Sequence, residues 1–108
     1  MTNEELALHM LKRVDTITTQ KSLADEIGFS VGKINYVLKS LINKGLIKAE
    51  RFAVSDNKSK YKYLLTQKGL KEKITLTEKF IETKKKEYEE LQADLRKYKQ
   101  NNQLRDEN

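Results

Sequence analysis

The sequence predicts a mainly helical protein with one small β-hairpin and a long C-terminal helix. Apolar residues recur at helical spacing in the first 45 residues, and a stretch with strand-like alternation follows at 46–65. The rest of the chain contains no proline and, after Gly69, no glycine that would interrupt a helix. Hydrophobic residues make up 37% and charged residues 35% of the 108 residues, which is typical of a small core combined with a long solvated helix.

The first two predicted helices share one apolar core. Residues 3–13 form the first helix, with an inner face of Leu6, Met10, Leu11 and Val14. The β-branched stretch at 17–19 favours an extended segment. Thr19 or Gln20 then begins a second helix, whose inner face carries Leu23, Ala24 and Ile27. Gly28 ends this helix, because glycine adopts the left-handed conformation after a helix without a steric cost.

Ser30 is expected to cap a third helix that runs to about Lys44, where Gly45 stops it. The inner face of this helix consists of Ile34, Val37, Leu38 and Leu41. Its outer face carries Gly32, Tyr36, Lys39 and Asn43, flanked by Lys33, Asn35 and Ser40. Ala24 is small where the third helix crosses the second, and Phe29 or Val31 fills the gap between them. This pattern predicts a helix-turn-helix, although an ordinary three-helix bundle with a glycine turn would share it.

A hairpin and a long helix complete the predicted order of elements. Residues 46–54 and 60–65 are expected to form two strands joined by the polar turn 55–59. Thr66 begins a helix that runs to about residue 100, and the polar residues 101–108 are expected to be disordered. The sequence therefore predicts a winged helix-turn-helix domain at 1–66, in which the hairpin is the wing, followed by a long helix at 67–100.

Positive charge is concentrated between Lys33 and Lys62. This window holds eight basic residues, namely Lys33, Lys39, Lys44, Lys48, Arg51, Lys58, Lys60 and Lys62, against the two acids Glu50 and Asp56. Eight minus two gives +6, which equals the formal net charge of the whole chain. Such a patch favours a polyanionic partner, and we expect double-stranded DNA. The alternative is a solvated lysine-rich surface.

The expected contacts with DNA follow from the chemistry of each residue. The start of the third helix suits a phosphate, Gly32 allows close approach of the backbone, and Asn35 suits the N6/N7 edge of adenine. The candidate DNA-binding residues are Ser30, Gly32, Lys33, Asn35, Tyr36, Lys39, Asn43, Arg51, Lys58 and Lys60. Structural roles are the alternatives: Tyr36 as a partly buried core residue, Arg51 as the ion-pair partner of Glu50, and Tyr61 and Tyr63 as packing residues within the hairpin.

The final helix carries a heptad pattern. Its positions are Leu70, Ile74, Thr77, Ile81, Lys84, Tyr88, Leu91, Leu95 and Tyr98, spaced alternately by four and three residues. We call this set the seam, and its apolar members Leu70, Ile74, Ile81, Tyr88, Leu91, Leu95 and Tyr98 are the candidate dimerisation residues. They predict a homodimer. The pairing direction is open, and antiparallel is favoured because it brings Lys84–Lys86 near acids such as Glu78 of the other copy. The alternative is a helix packed back on its own domain, as expected for Leu76 and Phe80.

Other classes of protein find no support in the sequence. The chain has no cysteine and a single histidine, His9, which is expected on the surface without a carboxylate cluster. Neither a phosphate loop nor metal-ligand spacing is present, so we expect no enzyme, no cofactor and no metal. The apolar stretches are too short for a membrane span, and the absence of a signal sequence predicts the cytoplasm.

Several motifs resemble those of MarR-type winged-helix regulators. The resemblance covers about residues 3–98 and is closest to a short group associated with extracellular polysaccharide (EPS) gene clusters. It is carried by Leu23–Gly28, Val31–Tyr36, Leu41–Lys48, Tyr61–Gly69 and Lys84–Glu89. The resemblance implies a bacterial transcriptional regulator. The larger members of that family have additional helices that form a ligand cleft, for which this chain lacks the length.

The residues together indicate a dimeric regulator that binds an inverted-repeat DNA site through the recognition helix 30–44 and the wing 46–65. Two alternatives remain from the sequence. One is a winged-helix adaptor that binds proteins, and the other is a nonspecific nucleoid or RNA-binding protein.

Overall fold

The computed structural model describes the backbone of residues 1–16, 20–55 and 58–106, and their side chains except at 16, 20, 21, 52, 54, 55, 58–60 and 103–106. The elements are α1 (Asn3–Lys12), a 3-10 turn (Val14–Thr16), α2 (Gln20–Ile27), α3 (Val31–Asn43), β1 (Ile47–Ser55), β2 (Lys58–Leu65) and α4 (Gln67–Asp106). The predicted fold class is confirmed, because a two-stranded antiparallel hairpin follows the helices and a long helix follows the hairpin. The chain divides into a first unit, residues 1–76, and a second unit, residues 77–108.

The core of the first unit is built from the inner faces that the sequence predicts. Leu6, Met10 and Ile34 are completely buried. The other buried apolar residues are Leu8, Leu11, Val14, Leu23, Ala24, Val37, Leu38, Leu41, Leu46, Ile47 and Leu76. Ile27 is only half-buried. Helical periodicity locates this core correctly because burial on one face is what the spacing of three and four residues encodes.

The ends of the helices follow local rules. The hydroxyl oxygen of Ser30 accepts a hydrogen bond from the Lys33 N–H at 3.2 Å, which confirms Ser30 as the cap of α3. Gly28 and Gly45 have φ values of +86° and +76°, which are the left-handed conformations expected after α2 and α3. The turn between these helices therefore has the predicted form.

Arg13 joins α1 to α2. Its Nε donates to Glu26 Oε1 at 2.8 Å, and its Nη1 donates to the carbonyl oxygen of His9 at 3.0 Å. His9 is half-buried, so its expected place as a plain surface residue is wrong, and its Nδ1 lies 3.1 Å from Nη1 of Arg13. Burial and the Arg13 charge lower the pKa of His9 from 6.5, which keeps the ring neutral beside the guanidinium.

The wing is an antiparallel pair of strands. Ile47 lies opposite Leu65 and Glu50 opposite Lys62, and an irregularity between Ala53 and Ser55 shifts the register near the tip. β2 is two residues longer than the sequence predicts, since Lys58 and Ser59 belong to it and not to the turn. β1 has the predicted length but is shifted by one residue, so that Ser55 lies in the strand. The remaining turn residues 56 and 57 and the expected extended segment 17–19 lie outside the described residues.

A compact junction joins the end of α3, the two strands and the start of α4. The Thr66 hydroxyl donates to the carbonyl oxygen of Gly45 at 2.6 Å and accepts from the Gly69 N–H at 2.9 Å. The Thr66 N–H donates to the carbonyl oxygen of Leu46 at 3.2 Å. Gly69 is buried in this junction, and a Cβ there would collide with the carbonyl oxygen of Leu46. Thr66 thus caps α4, as predicted, and also fixes the base of the wing.

Helix α4 extends farther than the sequence predicts. Its backbone is helical to Asp106, six residues beyond the predicted end near residue 100, and the disorder expected of the tail 101–108 stays a prediction. No glycine or proline occurs there, and the polar residues present tolerate a helix. In the second unit the described residues 81–102 are all exposed, including Ile81, Leu91 and Leu95.

The junction yields a stability prediction. We expect Gly69→Ala to lower the free energy of unfolding by about 1–3 kcal/mol, because the added methyl group meets backbone and not a flexible side chain. Gly32→Ala is the matched control, since its Cβ would meet nothing within 4 Å, and we expect a gain of at most about 1 kcal/mol. Denaturant unfolding followed by circular dichroism measures both. Equal midpoints for the two variants would contradict the tight junction.

Candidate nucleic-acid interface

The face of α3 opposite the core is open to solvent. Tyr36 is 67% exposed, and Gly32, Lys39 and Asn43 are exposed as well. Ser30 precedes them at the cap of the helix and is also exposed. These are the residues that the sequence assigns to the outer face, and the fold brings them together along one side of one helix. The alternative that Tyr36 is partly a core residue is wrong.

Two further candidates on α3 lie at the edge of this face. Lys33 and Asn35 are half-buried and not fully exposed. The Lys33 ammonium lies 5.5 Å from the centre of the Tyr36 ring, a distance at which a cation is attracted to the face of an aromatic ring. Lys33 and Tyr36 therefore restrict each other on the exposed surface, which lowers the entropy that they lose when a ligand binds.

Backbone groups at the start of α3 are partly used within the protein. The Lys33 N–H donates to the Ser30 hydroxyl, and the Ile34 N–H donates to the Ser30 carbonyl oxygen at 3.1 Å. The positive end of the helix dipole lies at the same place, and no acid occurs in the first turn to neutralise it. This end of the helix is electrostatically suited to a negatively charged group, as the sequence suggests.

The wing presents basic residues on both of its faces. Arg51 lies opposite Tyr61 and Glu50 opposite Lys62, so strand alternation places Arg51 and Lys62 on opposite faces of the hairpin. Both are exposed. Glu50 forms an ion pair with Lys48, with a nitrogen–oxygen distance of 3.4 Å. The candidates Lys58 and Lys60 lie in β2, but their side chains are outside the described residues.

Tyr61 and Tyr63 pack against each other. Their ring centres are 6.4 Å apart with an angle of 21° between the planes, and burial raises the pKa of Tyr63 above 10.0. This stacking supports packing within the hairpin over stacking on bases, and it stiffens the wing on the side that carries Arg51.

Two exposed lysines extend the candidate site beyond the residues chosen from the sequence. Lys44 ends α3 and Lys62 lies on β2, and both were counted in the basic window without being assigned to contacts. Strand alternation was the signal that could have added Lys62.

Lys44 also lines a cleft of about 520 Å³ beside α3. Glu4 and Glu72 line the same cleft, so their charges offset those of Lys44 and Lys68 there.

Other kinds of site are not indicated by the described residues. Among them, no group of three or more histidine, cysteine, aspartate or glutamate side chains is placed to hold a metal ion. No helix in the described part of the chain is both long and apolar enough to cross a membrane.

Comparison with known proteins agrees with this geometry. Residues 15–48 match the family model described as winged helix-turn-helix DNA-binding. The match covers α2, the glycine turn, α3 and the first residues of β1. A search of curated proteins gave no match. The matched segment, the exposed outer face of α3 and the hairpin after it lead to one conclusion: the chain contains a winged helix-turn-helix DNA-binding domain.

Proposed function

We propose that this protein is a transcriptional regulator that binds a specific inverted-repeat site in double-stranded DNA as a homodimer. The observation that carries the proposal is the polar face of α3, which stands exposed within a helix-turn-helix. A helix of this kind enters the major groove, while the wing lies along the flanking backbone. Domains of this type are typical of regulators without catalytic activity.

Each part of the interface has a different task in this proposal. Asn35, with two donors and one acceptor, reads a base edge near the start of α3. Ser30 and Lys39 bind phosphates, and Arg51 with the wing lysines follows the backbone outside the groove. Asn35 is half-buried, whereas Asn43 on the last turn of the same helix is exposed.

The seam of α4 supports the homodimer. Tyr88, Leu91 and Tyr98 are 61%, 66% and 62% exposed in the single chain. Leu76, in the first unit, is buried, whereas these residues of the second unit are exposed. Apolar side chains repeated every seven residues on an exposed helix gain roughly 1.5–3 kcal/mol each when a partner helix buries them.

Membership of the short MarR-type group is part of the same proposal. It rests on the motif Val31–Tyr36 in the recognition helix and on Tyr61–Gly69 at the junction of wing and α4. The first segment lies in α3, and the second comprises the end of β2, Thr66 and the start of α4. A regulator is favoured over a protein-binding adaptor because the window from Lys33 to Lys62 carries a net charge of +6.

Salt dependence tests DNA binding directly. We expect selection from random duplexes to yield an inverted repeat, and the affinity for it to fall with salt by a log–log slope of about −0.9 per phosphate contact. The double variant Lys58→Ala with Lys60→Ala is expected to bind all duplexes more weakly by the same factor. Its log–log slope should be less steep by about 2, since two phosphate contacts are lost. Fluorescence anisotropy measures both quantities. Absence of binding at low salt would sink the proposal, and equal affinity for all duplexes would favour a nonspecific nucleic-acid-binding protein.

Base reading by Asn35 has its own test. We expect Asn35→Ala to cost about 1–3 kcal/mol on the selected site and little on random DNA. Asn43→Ala is the matched control, because it makes the same change on the exposed last turn of the same helix. Unfolding of both variants must be measured in parallel, since Asn35 is half-buried. Equal losses on selected and random DNA would assign Asn35 to backbone positioning.

The seam is tested by adding charge to it. We expect Leu91→Asp with Leu95→Asp to weaken dimerisation about 100-fold or more, because four buried leucines per dimer become carboxylates. The control is Thr83→Asp with Lys86→Asp, at exposed positions of α4 outside the seam, and it should remain dimeric. Multi-angle light scattering reports the mass of each variant. A dimeric Leu91/Leu95 variant would show that another surface makes the dimer.

A further inference from the structure

A second copy of the same helix is the occupant that fits the exposed seam. The apolar seam residues are 46–66% exposed and follow one heptad frame from Leu70 to Tyr98. The positions that flank them carry both signs of charge, including Lys73, Glu78, Lys85 and Asp94. A partner with uniform charge would meet repulsion at half of these positions, whereas an identical helix offers both signs in return.

Lys84 discriminates between the two directions of pairing. In a parallel, in-register pair each seam residue faces its own copy, so Lys84 faces the partner's Lys84. Two ammonium groups would then share one layer of an apolar seam and lose hydration together. The parallel pair also brings Lys73 near the partner's Glu78, where the two can form an ion pair. Exposed ion pairs of this kind contribute little stability, because water and salt screen them, so this pair does not compensate for the facing lysines.

In an antiparallel pair, the seam residues face different residues of the partner. Two seam residues share a layer when their residue numbers add up to one fixed sum, and the sums 158, 165, 172 and 179 each pair at least six seam residues. The sum of 158 leaves Leu91, Leu95 and Tyr98 opposite no seam residue, and the sum of 179 does the same to Leu70, Ile74 and Thr77. The sum of 172 places the two-fold axis at residue 86, so that the lysine runs 84–86 of both chains lie at the same level.

The sum of 165 keeps the two lysine runs at different levels and leaves only Tyr98, opposite the partner's Gln67, without a seam residue facing it. It places Leu70 opposite the partner's Leu95 and Ile74 opposite the partner's Leu91, which gives aliphatic layers at both ends of the seam. Lys84 lies opposite the partner's Ile81, where its aliphatic stem can cover the isoleucine while the ammonium reaches water. The ammonium already lies 3.4 Å from Glu87 of its own helix.

The flanking charges agree with this register. Glu78 and the partner's Lys85 flank the seam on the same side. Along the helix axis, Lys85 lies two residues from the partner residue that is directly opposite Glu78. Lys73 has the same relation to the partner's Asp94. Two residues correspond to about 3 Å along a helix, a distance that these long side chains span.

We propose that two copies of α4 pair antiparallel, with Ile81 opposite the partner's Lys84 and the two-fold axis between residues 82 and 83. The proposal rests on the homodimer proposed above and specifies its arrangement. It also assigns a role to Lys84, which excludes the parallel pair at a small loss of stability.

Engineered cysteines test the direction and register, because the chain contains none of its own. Two full-length variants are prepared, Ile74→Cys with an extra tag and Leu91→Cys without one, and they are mixed, allowed to exchange and mildly oxidised. We expect the mixed disulfide to exceed each self-linked product by at least tenfold on a non-reducing gel. In the proposed register two copies of Leu91 lie 17 residues apart in level, about 25 Å, which no disulfide spans.

The controls make every outcome informative. Thr83→Cys, outside the seam, should link to neither variant, and light scattering confirms that the reduced variants remain dimers. Self-linking of Leu91→Cys would overturn the proposal in favour of a parallel pair. A third variant, Ile81→Cys, tests the other register: if Leu91→Cys links to it in preference to Ile74→Cys, the sum is 172. Dimers without any cross-link would exclude the seam as the interface. A monomeric wild-type chain that still binds DNA would instead remove the homodimer itself from the proposed function.

Discussion

The hydrogen bonds of Thr66 hold together the end of α3, the base of the wing and the start of α4. Its hydroxyl connects the carbonyl oxygen of Gly45, directly after the recognition helix, with the N–H of Gly69 in the first turn of α4. Its own N–H binds Leu46 at the base of the wing. Through these bonds Thr66 connects the end of α3, the start of β1, the end of β2 and the first turn of α4. The orientation of the wing relative to α3 depends on this junction and on the packing of β2 against the 3-10 turn at Val14–Thr16.

The two units solve different physical problems. The first unit buries its apolar residues inside itself and leaves a polar, basic face for a ligand. In the second unit the apolar residues Ile81, Leu91 and Leu95 stay exposed in a single chain. Charge on the surface of the first unit gives affinity for a polyanion that weakens with salt. Burial along a helix seam gives association that salt affects far less, so the proposed reading and pairing can be separated by experiment.

Much of the fold could be predicted from the sequence because its signals are local. Ser30, Gly28 and Gly45 each satisfy a backbone requirement that needs no knowledge of distant residues. The core followed from helical spacing, as Leu6, Ile34 and their neighbours show. The contacts that depend on residues far apart in sequence could not be predicted in the same way.

Gly69, Arg13 and Asn35 illustrate this difference. The burial of Gly69 against Leu46 arises only when two segments 23 residues apart meet, since 69 minus 46 is 23. The bond from Arg13 to Glu26 joins two helices whose relative placement is a property of the packed core. The helical wheel placed Asn35 beside the outer face, but a wheel does not show neighbouring elements, so it did not predict that the residue is half-buried. The assignment of the outer face was correct, whereas the degree of exposure along its edge required the structure.

A single recognition helix gives a physical reason for the proposed pairing. One helix in a major groove contacts only a few base pairs, and each well-placed contact discriminates against a wrong base by about 1–3 kcal/mol. A genome offers on the order of 10⁶ or more competing sites, which one such helix cannot reject. Joining two domains roughly doubles the number of base pairs read, and the second domain binds at a high effective concentration once the first is in place. In the proposed dimer the exposed seam of α4 is therefore a condition for sequence-specific binding, and the recognition helix and the seam depend on each other.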